Sequence, residues 1–131
     1  MDLLPIPLRT VLLVEDDPLL ITVLESQLIG VGLRVETAHN GIEAMSRIAG
    51  RQPDVIITDL MMPVMDGLAL IEAVRKNAAW RDIPIVAISA SVQGMGKAVE
   101  LGANQILQKP FEAEDLHDMV AKLLNAKTVN R

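Results

Sequence analysis

The chain has no cysteine, no tyrosine, one tryptophan and one phenylalanine in 131 residues. Without cysteine there is no disulfide, no thiolate-held zinc and no thiol chemistry, which fits a reducing cytoplasm. Positive charge is in short supply: 12 Lys and Arg against 17 Asp and Glu leave a net charge of −5. Nucleic acid and anionic membrane surfaces both require clustered Lys and Arg, so neither is expected as a direct partner. No apolar run approaches the ~20 residues of a membrane span. Residues 1–8 are apolar, but they carry Asp2 and lack a basic leader, so they do not read as a secretory signal. With Pro5 and Pro7 they are expected to form an extended, disordered arm.

What is present suits one folded, soluble, cytoplasmic domain. Half the residues are hydrophobic and 22% are charged, and the length allows a proper core. The domain is expected over 9–125, between the arm 1–8 and a tail 126–131 too short to be an effector.

Apolar runs alternate with helical patterns. Strands are expected at 11–14, 33–38, 55–58, 85–89 and 105–108. The first helix starts at Asp17-Pro18, a good cap followed by a good first helical residue, and faces inward with Leu20, Val23, Leu24 and Leu28. Gly30 and Gly32 stop it. Asn40-Gly41 opens a second helix with Ile42, Met45 and Ile48 inward, and a third carries Leu68, Ile71 and Val74. Between 90 and 102 only 97–101 looks helical. The last helix shows a clean stripe of Leu116, Met119, Val120, Leu123 and Leu124.

Five βα units predict a doubly wound α/β fold of three layers, the flavodoxin-like (βα)5 arrangement. VLLV, VIIT and IVAI are continuously apolar, as parallel strands covered on both faces must be. The second strand alternates and the fifth is short and polar, so both belong at the edges. The order 2-1-3-4-5 follows, with the first and third strands adjacent at the switch point.

The strand ends carry the chemistry. VLLV runs into Glu15-Asp16-Asp17, VIIT into Asp59, IVAI into Ser89 and QILQ into Lys109-Pro110. Taken singly, each has an ordinary reading: a capping acid run, a turn aspartate, a hydroxyl bonded to backbone, a turn before a helix. Parallel strands bring all four to one edge, where like-charged carboxylates ~4 Å apart each cost about 4 kcal/mol at an effective dielectric near 20. Such a cluster takes up protons or a cation, and carboxylate oxygens suit Mg2+. A bound metal, an ammonium and a hydroxyl around an aspartate are the components of phosphoryl transfer to a carboxylate.

Together VLLVEDDPLL, DVIITDLMMPVMDGL, IPIVAISA and GANQILQKPF resemble the receiver domain of two-component response regulators, from about Arg9 to Leu124. The resemblance implies that Asp59 is the phosphoacceptor. It implies that Glu15, Asp16 and Asp59 hold Mg2+ with the backbone carbonyl of Met61. Ser89 would engage the phosphoryl group, Lys109 would contact it, and the Lys109–Pro110 bond would be cis. The order 2-1-3-4-5 is the family's own.

The implied protein is a stand-alone switch that assists only its own phosphorylation and dephosphorylation. Its partners would be a sensor histidine kinase or histidine phosphotransfer protein, a downstream effector protein, and, as a further option, a second copy of the chain. Two other readings compete: a phosphorylation-independent scaffold, and a Mg2+-dependent aspartate-nucleophile phosphohydrolase. The second would place its nucleophile in a DxD motif after the first strand, where this chain has Glu-Asp-Asp. A flavin carrier on the same fold is disfavoured, because the acids would repel a cofactor phosphate. His39, His117 and Trp80 are expected to be surface or packing residues. The chain departs from its family at Ile106, where receivers usually carry a mobile aromatic side chain. Gly94 and Gly96 oppose helix formation by ~1 kcal/mol each, so the fourth helix is expected to be late, short or mobile.

Overall fold

A computed structural model describes residues 8–129; the arm expected over 1–8 lies almost wholly outside them. Among the described residues five strands alternate with five helices: β1 (Thr10–Val14), α1 (Pro18–Gly30), β2 (Arg34–Ala38), α2 (Gly41–Gly50), β3 (Val55–Asp59), α3 (Gly67–Lys76), β4 (Ile85–Ser89), α4 (Met95–Leu101), β5 (Gln105–Gln108) and α5 (Ala113–Val129). All four strand pairings are parallel, in the order β2-β1-β3-β4-β5. The last helix runs past residue 125 to Val129.

The three central strands are buried along their whole length, while β2 and β5 are partly exposed. Alternate side chains of the sheet feed two cores. Leu12, Val14, Ile56, Ile85 and Ala87 pack beneath α2, α3 and α4, and Val11, Leu13, Ile57, Val86 and Ile88 beneath α1 and α5. Each fully buried Leu, Ile or Val contributes roughly 1.5–3 kcal/mol.

The helix starts match their cap residues. Asp17, Asn40 and Asp66 each accept backbone N–H groups from the first turn that follows them. The inward faces differ from expectation in two helices. In α1 the buried residues are Ile21, Leu24 and Leu28, while Val23 is 43% exposed. That helix is apolar nearly all round, so its periodicity alone does not select a face. In α2 Ile42 is exposed and Gly41, Ala44 and Ile48 are buried. Small residues there let the helix approach the sheet closely, and the large Ile42 points away. Leu70 joins Ile71 and Val74 in the core beneath α3, with Leu68 half-buried.

Helix α4 has seven residues and begins at Met95, two positions earlier than its pattern indicated. Gly94 caps it at φ +90° with no side-chain hydrogen bond, and Gly102 closes it at φ +117°. Ile106 is half-buried against the α2–α4 core, and Trp80 packs against the same cluster. His117 is less exposed than expected: its Nε2 is buried and has no hydrogen-bond partner among the described residues.

Candidate functional site

Parallel strands point their carboxyl ends the same way, so the chemistry gathers along one edge of the sheet. Glu15 follows β1 and is 1% exposed; its backbone N–H bonds the Ala38 carbonyl at 3.0 Å. Its side chain folds back so that Oε2 accepts the N–H groups of Asp16 at 3.1 Å and Asp17 at 3.2 Å. The other oxygen, Oε1, accepts Lys109 Nζ at 3.0 Å. Asp59 ends β3, 5% exposed, with Oδ1 accepting the Met61 N–H at 3.2 Å and Oδ2 accepting Lys109 Nζ at 3.0 Å. Lys109 therefore bridges two buried carboxylates from the far side of the sheet. Its backbone N–H bonds the Ser89 carbonyl at 2.8 Å, which joins the end of β5 to the end of β4. The Lys109–Pro110 bond is cis.

The electrostatics follow from this crowding. Burial pushes the Glu15 carboxyl up from 4.5 to about 7, against the hydrogen bond from Lys109 and with the help of the Asp59 charge. Burial pulls the Lys109 ammonium down, but its hydrogen bonds to Glu15 and Asp59 win, so its pKa is raised. Glu15, Asp16 and Asp59 each offer a carboxylate oxygen within 4.8 Å of the others. Fully ionised, the three acids and Lys109 leave a local charge of −2. An all-oxygen donor set with a surplus of two negative charges fits a hard divalent cation.

The expected residues take different places along this edge. Asp16 is exposed at the rim, while Glu15, Asp59 and Lys109 form the ion-paired centre. Met61 lies beside them through its backbone, with its side chain 71% exposed. Ser89 stands apart. Its buried hydroxyl donates to the Ser91 carbonyl at 2.9 Å and accepts the Ser91 N–H at 3.2 Å, the backbone-bonded arrangement common for a strand-end serine.

Two further arrangements were not foreseen, the first at this edge and the second at the opposite end of the sheet. The Thr58 hydroxyl donates to the Asp59 carbonyl at 2.8 Å. Arg75 spreads its guanidinium over the carbonyls of Gly102, Arg81 and Ile83 and over Asn104 Oδ1, at 2.7–3.0 Å. Burial lowers its pKa, opposed by Asp82. Arg75 sits in the last turn of α3, where a cation is ordinary, so its sequence position gave no hint of these long-range partners.

Comparison with known proteins agrees with the geometry. Residues 11–121 match the response regulator receiver domain, and the chain belongs to that family, the receivers of two-component response regulators. It is 32% identical over 112 residues to the DNA-binding transcriptional regulator NtrC of Escherichia coli, covering 86% of this chain and 24% of that protein. The chain thus spans about a quarter of the length of that curated relative. A response regulator structure from Chloroflexus aurantiacus is 33% identical with a TM-score of 0.87, covering 91% of this chain and 99% of its own. The receiver domain of the sensor histidine kinase PA1611 from Pseudomonas aeruginosa is 30% identical, with a TM-score of 0.85 and coverage of 91% and 99%. That structure carries a magnesium ion coordinated in its active-site cleft. Among the described residues, no helix is long and apolar enough to cross a membrane.

Proposed function

We propose that this chain is a phosphorylation-dependent switch whose phosphoacceptor is Asp59. The observation that carries this reading is the setting of Asp59: a buried carboxylate held 3.0 Å from Lys109 Nζ, clustered with Glu15 and Asp16. The donor is a phosphohistidine on a sensor histidine kinase or histidine phosphotransfer protein. An Asp59 carboxylate oxygen attacks phosphorus, the O–P bond forms as the N–P bond breaks, and the departing imidazole takes up a proton. Glu15, Asp16, Asp59 and the Met61 carbonyl would hold Mg2+, which when bound offsets negative charge on the phosphoryl oxygens.

Lys109 already faces the oxygens that become the acyl phosphate, and it supplies a fixed positive charge to the transferred group. Ser89 completes the set by exchanging its bond to the Ser91 carbonyl for one to a phosphoryl oxygen. The modification adds roughly −1.5 to −2 charge and three strong acceptors, enough differential contact to shift an equilibrium between two arrangements of the 90–96 segment. Output passes to a downstream effector protein that distinguishes them.

The test is incubation with a small acyl phosphate, with and without Mg2+, followed by peptide mass spectrometry. Labelling confined to Asp59, dependent on Mg2+ and abolished in Asp59→Asn, is the expected result. Labelling elsewhere, or labelling unaffected by EDTA, refutes the assignment. Sustained phosphate release from unrelated phosphate esters would favour the phosphohydrolase instead.

A further inference from the structure

The phosphoacceptor is held by its backbone as well as by its carboxylate. Gly67, the first residue of α3, lies against the end of β3 so closely that a Cβ on it would collide with the Asp59 carbonyl oxygen. The same Cβ would stand 2.8 Å from Leu60 Cα and 2.9 Å from the Asp59 carbonyl carbon. All three atoms are main chain, so no side chain can swing aside to relieve the contact. The Gly67 N–H also bonds the Leu60 carbonyl at 3.1 Å, tying the helix start to the residue after Asp59. A second group reaches the same carbonyl: Thr58 is fully buried, and its Oγ1 donates to the Asp59 oxygen at 2.8 Å.

From these contacts we infer that Thr58 and Gly67 are positioning residues for phosphoryl transfer. They seat the Asp59 main chain so that Oδ2 meets Lys109 while Oδ1 meets the Met61 N–H. The inference rests on Asp59 being the phosphoacceptor. Gly67 is required here by close approach alone, since its backbone is in an ordinary helical region. Any side chain at 67 must push the end of β3 away from the start of α3 or unwind the first turn. Either movement shifts the nucleophile, and a misplacement of ~1 Å can cost about 100-fold in rate.

The experiment uses the full chain with Gly67→Ala, Thr58→Val and Thr58→Ser. Thr58→Val keeps shape and burial while removing the hydroxyl, so it reports on the seat even where Gly67→Ala fails to fold. Two readouts are taken on folded protein. The first is the maximal rate of Asp59 labelling at saturating Mg2+ and acyl phosphate. Gly67→Ala is expected to lower it about 100-fold and Thr58→Val about 10-fold, while Thr58→Ser recovers at least half of the wild-type rate. A substitution that only weakened the fold would shift the unfolding midpoint without this split between Val and Ser.

The second readout needs no phosphoryl donor. Crystal structures of the variants should show Lys109 Nζ moved out of hydrogen-bond range of Asp59 Oδ2, from 3.0 Å, with its 3.0 Å contact to Glu15 Oε1 kept. If wild-type Asp59 takes no phosphoryl group, the switch assignment fails, and this displacement still decides whether Thr58 and Gly67 seat Asp59. An unmoved Asp59 in both Gly67→Ala and Thr58→Val, with labelling at the wild-type rate where labelling occurs, overturns the inference.

Discussion

Lys109 Nζ lies 3.0 Å from Asp59 Oδ2 across a separation of 50 residues, and the same nitrogen reaches Glu15 Oε1 at 3.0 Å. One half-buried ammonium thus bridges two buried carboxylates of like charge. Removing it tests how much of the site's order depends on that charge. In Lys109→Ala the fold should persist, because the ammonium sits at the sheet edge and no core packing is lost. Stability in Mg2+-free buffer at pH 8 should fall by about 1–3 kcal/mol, since Glu15 and Asp59 would face each other unpaired. Labelling of Asp59 should drop about 100-fold, the scale of losing one preorganised charge-stabilising group. Urea unfolding and phosphorylation kinetics measure both. Normal labelling in this variant would reduce Lys109 to a turn residue.

Glu15 supplies a pH signature. Its folded-state pKa of about 7 lies above its ordinary 4.5, so the folded protein binds this proton more tightly than the unfolded chain. The resulting stability is fully present below pH 4.5 and is lost as pH rises to about 7. Lys109 does not interfere, because its raised pKa acts only above its ordinary 10.5. In EDTA, the melting temperature of wild-type protein relative to Glu15→Gln should therefore decline between pH 4.5 and 7. A flat difference across that window would show that Glu15 titrates normally.

Arg75 is expected to be the most costly surface-proximal residue to lose. Its five hydrogen bonds join the end of α3 to the loop before β4, the end of α4 and the start of β5. Arg75→Ala leaves carbonyls unpartnered and should destabilise the domain by about 2–4 kcal/mol in urea unfolding. Arg75→Lys should recover little, because an ammonium cannot reproduce the planar fork. A loss below about 1 kcal/mol in the alanine variant would show the network to be dispensable.

Helix α4 is held differently at its two ends. Arg75 grips the Gly102 carbonyl at its C-terminus, while Gly94 begins it without a side-chain cap and Gly96 follows within the first turn. The Ser89 hydroxyl holds the preceding turn through Ser91. With Ile106 in place of an aromatic gate, phosphorylation should act by reordering 91–96 while 99–102 stays protected. Hydrogen exchange with and without a phosphoryl mimic reads this directly. High protection across 91–101 before the mimic is added, unchanged afterwards, would sink the idea and leave the receiver assignment standing.

Much of the molecule could be read from its residues in order. Continuously apolar VLLV, VIIT and IVAI marked the central strands, and Asp17 and Asn40 marked two helix starts, because strand burial and capping are local matters of period and hydrogen bonding. The strand ends then named Glu15, Asp16, Asp59, Ser89 and Lys109 as one edge. Local pattern could not choose between Ile21 and Val23 in α1, or between Ile42 and Ala44 in α2. A helix face is selected by how closely the helix can approach the sheet, and that depends on side chains distant in the chain. For the same reason the engagement of Ser89 with Ser91, the fork of Arg75 and the seat that Thr58 and Gly67 make for Asp59 appear only once the chain is folded. Each is a contact set by three-dimensional crowding, where a missing Cβ or one well-placed hydroxyl matters and leaves no period in the sequence.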